Sequence, residues 1–163
     1  MTPIELDAID LHLLEQLQTD ASLNNQALAE RVHVSPPTCL RRVKRLKEVG
    51  LIEREIAVLS VDTLANVIGH GLTAVVEITL DRQDQEALEA FEQRVQSDDA
   101  VQQCYRVSPG PDFCLIVHAA NMPDYLALSQ RLFTFDANVR NVKSFFSLKR
   151  SKFGARVPLP KAP

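Results

Sequence analysis

Apolar positions in the first sixty residues recur at helical spacing. Leu6, Ile9, Leu13 and Leu17 share one side while Asp7, Asp10, Glu15 and Gln16 fall elsewhere, which predicts an amphipathic helix from about 5 to 19. Asn24 or Asn25 is placed to cap a second, short helix carrying Ala27, Leu28, Ala29 and Val32, and His33-Val34 interrupts the pattern before Ser35. Ser35 followed by Pro36 predicts the start of a third helix. The serine oxygen can accept from an otherwise unpaired backbone N–H, and proline at the first helical position lacks only a donor that had no partner. Along this helix Cys39, Val43 and Leu46, flanked by Leu40, make the apolar side. Pro37, Thr38, Arg41, Lys44 and Arg45 lie opposite, with Arg42 at the border. Gly50 suits the left-handed residue that closes a helix, and Leu51, Ile52, Ile56, Val58 and Leu59 supply β-formers for a short ribbon or wing. Residues 1–60 therefore read as a winged helix-turn-helix domain.

Periodicity fades over 61–71, ending at Gly69-His70-Gly71, which predicts a strand-like hinge. Beyond it the period changes to two. Leu72, Ala74, Val76, Ile78 and Leu80 alternate with Thr73, Glu77 and Thr79 as a half-buried strand. Leu88, Phe91 and Val95 mark a helix, and Val101 to Val107 a second strand. Ser108-Pro109-Gly110-Pro111-Asp112 makes a turn, and Phe113 to Ala119 a third strand. Asn121 and Pro123 start a helix bearing Tyr125, Leu128 and Leu132, and Val142 to Leu148 is the last strand. The order β-α-β-β-α-β over 72–150 gives an α+β chain with a ferredoxin-like two-layer sandwich in its second half, followed by a tail at 151–163. One sheet face of such a sandwich is left without helices. Phe113, Val117, Phe145 and Phe146 are candidates to cover it by dimerisation, since they would otherwise expose a large apolar patch.

Composition narrows the class without naming a partner. With 163 residues, 45% hydrophobic and 24% charged, the chain can bury one modest core or two small ones. Nothing approaches the roughly 18 uncharged apolar residues of a membrane span, and Glu5, Asp7 and Asp10 stand where a signal peptide would be basic, so a cytoplasmic location without membrane contact is expected. Cys39, Cys104 and Cys114 are an odd set without paired spacing, which suggests reduced thiols. His12, His33, His70 and His118 lack metal-ligand spacing; neither a metal nor a cofactor is expected. A net charge of −3 argues against indiscriminate binding of nucleic acid by the chain as a whole, so any DNA contact must be local.

Such a local patch is the third helix, where Arg41, Arg42, Lys44, Arg45 and Lys47 crowd into two turns. A helix of this kind fits the major groove of double-stranded DNA, its N-terminal residues reaching base edges while guanidinium and ammonium groups meet phosphates. Pro37, Thr38 and Arg41, beside the helix-opening Ser35, are placed to read bases, and Arg42, Lys44 and Arg45 to contact phosphates. A solvated charged face is the plain alternative.

The string Ser35-Pro36-Pro37-Thr38-Cys39-Leu40-Arg41-Arg42-Val43 resembles the Lrp/AsnC family, the leucine-responsive and asparagine regulators known as feast/famine transcription factors. Leu6-Asp7, Asp10, Leu13-Leu14, Leu28-Ala29, Arg31-Val32, Leu46 and Gly50 extend the match, which covers nearly the whole chain. The resemblance implies a DNA-binding regulator, not an enzyme, pairing through its sheet into a homodimer that assembles further into a tetramer or octamer. It implies too that the loop at Ser108, Gly110, Asp112 and Phe113 binds a small effector such as an amino acid. Asp112 would receive the ammonium group, backbone N–H groups near Gly110 the carboxylate, and Phe113 would shape the apolar side. Two departures are evident: Pro37 precedes Thr38 where the family has the reverse order, and Pro109 stands where the family has glycine three residues before the aspartate. Base preference and effector identity are accordingly not carried over. Two other functions share parts of the pattern. Sirohaem decarboxylases resemble the same two-domain plan but need no cationic helix, and an architectural DNA-compacting protein would cover DNA without preferred sites.

Overall fold

The computed structural model describes residues 4–69 and 71–160; His70 and the last three positions of the predicted tail lie outside the described residues. The chain forms two compact units. One takes the residues up to Val58 together with those from Lys152 onward, and the other runs from Leu59 to Ser151.

In the first unit three helices enclose a small core: α1 (Ala8–Leu17), α2 (Asn25–Arg31) and α3 (Pro36–Glu48). Leu13, Leu28, Ala29, Val32, Cys39 and Leu46 are buried together, with Leu6, Ile9, Leu17 and Val43 packed around them. This is the predicted apolar stripe with one exception. Leu40, expected to flank it, is 61% exposed and sits on the outer side of α3. At α2 the cap is one of the two residues expected. Asn24 accepts from the Ala27 amide at the start of α2, and Asn25 reaches across to the Pro36 carbonyl at 2.9 Å, tying α2 to α3. His33 takes φ of 56° in the turn between them, a left-handed conformation that non-glycine residues seldom adopt. Gly50 closes α3 at φ 79°, as expected. The anticipated wing is absent, because residues 51–59 carry no strand, and Ile56, Val58 and Leu59 are exposed. β-formers alone do not make a ribbon without a partner to pair with.

The second unit opens with a helix where a hinge strand was expected. Ser60 accepts from the Thr63 amide and α4 (Val61–Ile68) follows. Then come β1 (Leu72–Leu80), α5 (Gln85–Gln96), β2 (Val101–Arg106), β3 (Phe113–Ala119), α6 (Met122–Ser129) continued by a π-type turn over Gln130–Thr134, and β4 (Val139–Phe146). The strands form one antiparallel sheet in the order β2-β3-β1-β4, so the β-α-β-β-α-β sandwich is as the alternation predicts. Ala74, Val76, Ile78 and Leu80 of β1 and Phe113, Leu115 and Val117 of β3 face Phe91 and Val95 of α5 and Tyr125 and Leu128 of α6. The wide turn after α6 brings the adjacent residues Leu132 and Phe133 into that same core.

Strand parity corrects the list of open-face residues. Phe113 and Val117 are fully buried beneath the helices. Phe146 pairs in register with Ala74 and meets Tyr125 edge-on at 5.0 Å, also on the helix side. Only Phe145, opposite Val75, faces the other way. Neighbouring residues in a strand point to opposite faces, so Phe145 and Phe146 could never have shared one. The open face carries Val75, Ile116 and Phe145 in one row and Tyr105, Cys114, Glu77 and Lys143 in the next.

Candidate functional site

Two places gather the residues that the sequence singled out. The first is the outer side of α3. Pro37, Leu40, Arg41, Lys44 and Lys47 are exposed along it, giving a face with cations and one aliphatic side chain. Ser35 does not cap the helix through its side chain; its hydroxyl donates to Thr38 Oγ1 at 2.9 Å, so the two polar groups at the helix start orient each other. Lys44 lies 3.7 Å from Glu48, and Lys47 2.9 Å from Glu55. These are exposed pairs that water and salt weaken, so both ammonium groups can exchange partners. No ion pair involves Arg41 among the described residues.

Arg42 and Arg45 have a different setting from the one the helical wheel suggested. Arg42 Nη1 bonds Asp7 at 2.7 Å and Asp10 at 2.9 Å, and Arg45 Nη2 meets Asp10 at 2.5 Å. Asp10, the only charged residue among the buried ones described, is 1% exposed. It also accepts from the Asp7 amide at 3.3 Å, while Asp7 accepts from the Asp10 amide at 2.9 Å, a reciprocal cap on α1. That amide bond first, and the Arg42 guanidinium after it, hold the Asp7 carboxyl below its ordinary range. Two carboxylates and two guanidinium groups thus form a neutral quartet that joins the start of α1 to the middle of α3. Arg42, expected on a phosphate, is turned inward with its side chain 22% exposed; Arg45 remains 43% exposed and can reach outward from the same anchor. Asp10 is the site residue that the sequence reading missed. The available signal was an aspartate one residue after Ile9, at the edge of the apolar stripe, in a chain with an Arg-Arg pair on another helix.

The second place is the turn between β2 and β3. The Ser108–Pro109 bond is cis, and Gly110 takes φ of 121°. A side chain there would meet nothing within 4 Å, so backbone conformation alone calls for glycine. Asp112 Oδ2 accepts from the Leu80 amide at 2.7 Å and from Gln83 Nε2 at 3.2 Å, and its own amide donates to the Ile78 carbonyl at 2.8 Å. The carboxylate therefore ties this turn to the end of β1. Phe113, expected to border a ligand, instead stacks on Phe91 with centroids 4.7 Å apart and is fully buried. Ser108 and Gly110 lie on the loop beside Asp112, whereas Phe113 belongs to the core beneath it.

Neither place contains a metal-binding cluster, and among the described residues no group of His, Cys, Asp and Glu side chains could hold one. Burial pushes the Cys39 thiol up, as befits a core residue. No helix among the described residues is long and apolar enough to cross a membrane.

Residues 6–47 match the family model of the AsnC-type helix-turn-helix domain, and residues 73–157 that of the Lrp/AsnC ligand binding domain. The chain is 35% identical to a leucine-responsive regulatory protein of Rhizobium meliloti, across 96% of this chain and 97% of that one. It is also 35% identical to an HTH-type transcriptional regulator of Haemophilus influenzae, across 90% and 85%. Among solved structures it resembles a transcriptional regulator from Neisseria meningitidis crystallised with L-Met, at TM-score 0.82 and 28% identity over 94% of this chain and 97% of that one. An AsnC family transcriptional regulator from Agrobacterium tumefaciens matches with the same identity and coverage at TM-score 0.81.

Proposed function

The chain belongs to the Lrp/AsnC family of transcriptional regulators, and from that premise we propose that it binds specific DNA sites through α3 and that an amino acid or related small effector modulates this binding. The observation that carries the DNA reading is the division of labour among the cations of α3. Asp7 and Asp10 neutralise Arg42 and Arg45 on the inner side, leaving Arg41 and Lys44 outward beside Pro37 and Thr38. In this reading Ser35, Pro37, Thr38 and Arg41 approach base edges, and Lys44 meets phosphates. Arg45 contributes a phosphate contact from its Asp10 anchor, and Arg42 positions the helix.

A gel-shift titration against the DNA upstream of its own gene, at about physiological salt, tests it. Arg41→Ala should weaken the specific complex by about 1–3 kcal/mol and blur the preference among sites. Lys44→Ala should weaken all sequences alike and lower the salt slope by about 1. A specific shift indifferent to Arg41 would reject the assignment.

For the effector, the L-Met bound to the Neisseria relative supports an amino-acid class. Asp112 receives the ammonium group at the carboxylate already oriented by Leu80 and Gln83, beside the loop amides around Ser108 and Gly110. Asp112→Asn keeps an oxygen for those two donors and removes the charge. In calorimetric titration with the common amino acids it should bind the effector at least tenfold more weakly than the parent. Equal binding by both would place the ligand elsewhere. The homodimer forms through the open sheet face and assembles into tetramers or octamers, as the resemblance implies.

A further inference from the structure

The outer side of α1 is occupied by a segment from the far end of the chain. Gln18, just past α1, donates from Nε2 to the Val157 carbonyl at 3.0 Å and accepts at Oε1 from the Val157 amide at 2.9 Å. Nε2 also donates to Glu15 Oε2 at 2.8 Å, which fixes the amide's orientation. The other oxygen of Glu15 pairs with Arg156. One side chain therefore reads both backbone groups of a single residue, as a neighbouring strand would. Leu159 is half-buried, whereas residues 151–158 and Pro160 are exposed. Leu11, His12 and Glu15 line a groove with Val157, Pro158 and Pro160. The two prolines hold φ near −65°, which lowers the entropy lost when an extended segment docks.

We propose that residues 156–160 are a strap: an extended, proline-stiffened segment that docks reversibly on α1 and serves as a second tether between the DNA-binding unit and the sheet unit. The first tether is the connection before α4. The second leaves β4, whose Phe145 lies on the open sheet face, and reaches α1 through the strap. Its hydrogen bonds are solvent-exposed, so it can release locally while both units stay folded. A change at β4 is thereby passed to α1 while the strap is seated and not when it is free.

Amide hydrogen exchange on the full chain tests this without DNA, so it stands or falls apart from the DNA-binding reading. Val157→Pro deletes the one N–H that Gln18 accepts and leaves α1 untouched. It should speed exchange at Leu14 to Gln18 at least tenfold and leave β1 and β3 unchanged. Gln18→Ala and a chain truncated after Phe153 should do the same, and a synthetic peptide of residues 152–163 should restore protection to the truncated chain. Unchanged α1 exchange in Val157→Pro and in the truncated chain overturns the proposal. Should the truncated chain fail to fold, Val157→Pro decides alone.

Discussion

Asp10→Ala should unfold the helix-turn-helix unit while the sheet unit stays folded. The carboxylate is buried, and it pairs with two guanidinium groups and a backbone amide. Removing it leaves Arg42 held by Asp7 alone and takes from Arg45 its Asp10 carboxylate, and breaking a buried pair from one side costs up to about 3–5 kcal/mol. A unit with so small a core has little stability beyond that, given totals of about 5–15 kcal/mol for whole domains. Denaturant unfolding followed by far-UV circular dichroism should show the earlier transition shifted or gone and the later one in place. A companion variant separates charge from packing. Replacing Asp10 with Leu together with Arg42→Leu and Arg45→Met removes the buried carboxylate and both guanidinium groups, leaving only the half-exposed Asp7 carboxylate on its backbone amide, and should recover most of the loss. A single Asp10→Ala change costing under about 1 kcal/mol would mean that the quartet behaves as an ordinary surface pair.

Phe145→Lys should abolish the proposed pairing through the open sheet face and leave the chain monomeric. Phe145 stands 54% exposed beside Val75 and Ile116 on the sheet face that the helices leave uncovered. An ammonium group placed there would be buried against apolar side chains on association, at a cost of several kcal/mol. The dissociation constant should therefore rise at least 100-fold, a change that light scattering behind size-exclusion chromatography would register as a halved mass or less. Phe146→Ala is the contrasting variant. Its ring packs on Tyr125 on the helix side, so its loss should lower the melting temperature of the sheet unit and leave the assembly state alone. The reverse pattern, with Phe146 controlling assembly, would exclude this face as the interface.

Those two residues show how far the sequence is legible. Period-two alternation across Leu72 to Leu80 assigned the buried face of β1 correctly, because every second residue there is apolar. In β4 the adjacent pair Phe145-Phe146 offers no alternation, and only the register against Ala74 and Val75 tells the two apart. Over 61–68 the apolar residues Val61, Leu64 and Ile68 do have helical spacing, but the segment is short and β-branched, and the nearby glycines outweighed it. Over 51–59 the error ran the other way, since strand propensity without a pairing partner leaves an extended segment. At the candidate sites, residue type and helical position located Pro37, Arg41 and Lys44 on the outside of α3. What helical spacing could not convey was a contact between residues 32 and 35 positions apart, which turns Arg42, and partly Arg45, from the solvent towards Asp10.

The helix-turn-helix unit is built from both sides of the sheet unit in the sequence, residues up to Val58 and then those from Lys152 onward. On the ribosome, Gln18 is therefore made early and its partner Val157 only after all of residues 59–151. Through most of translation α1 waits without its strap, and the nascent chain acquires a fully strapped DNA-binding unit only after the sheet unit has been made. A chain that stalls before residue 156 would emerge with every residue of α3 present and α1 unfastened, so order of synthesis itself separates unfinished copies from finished ones.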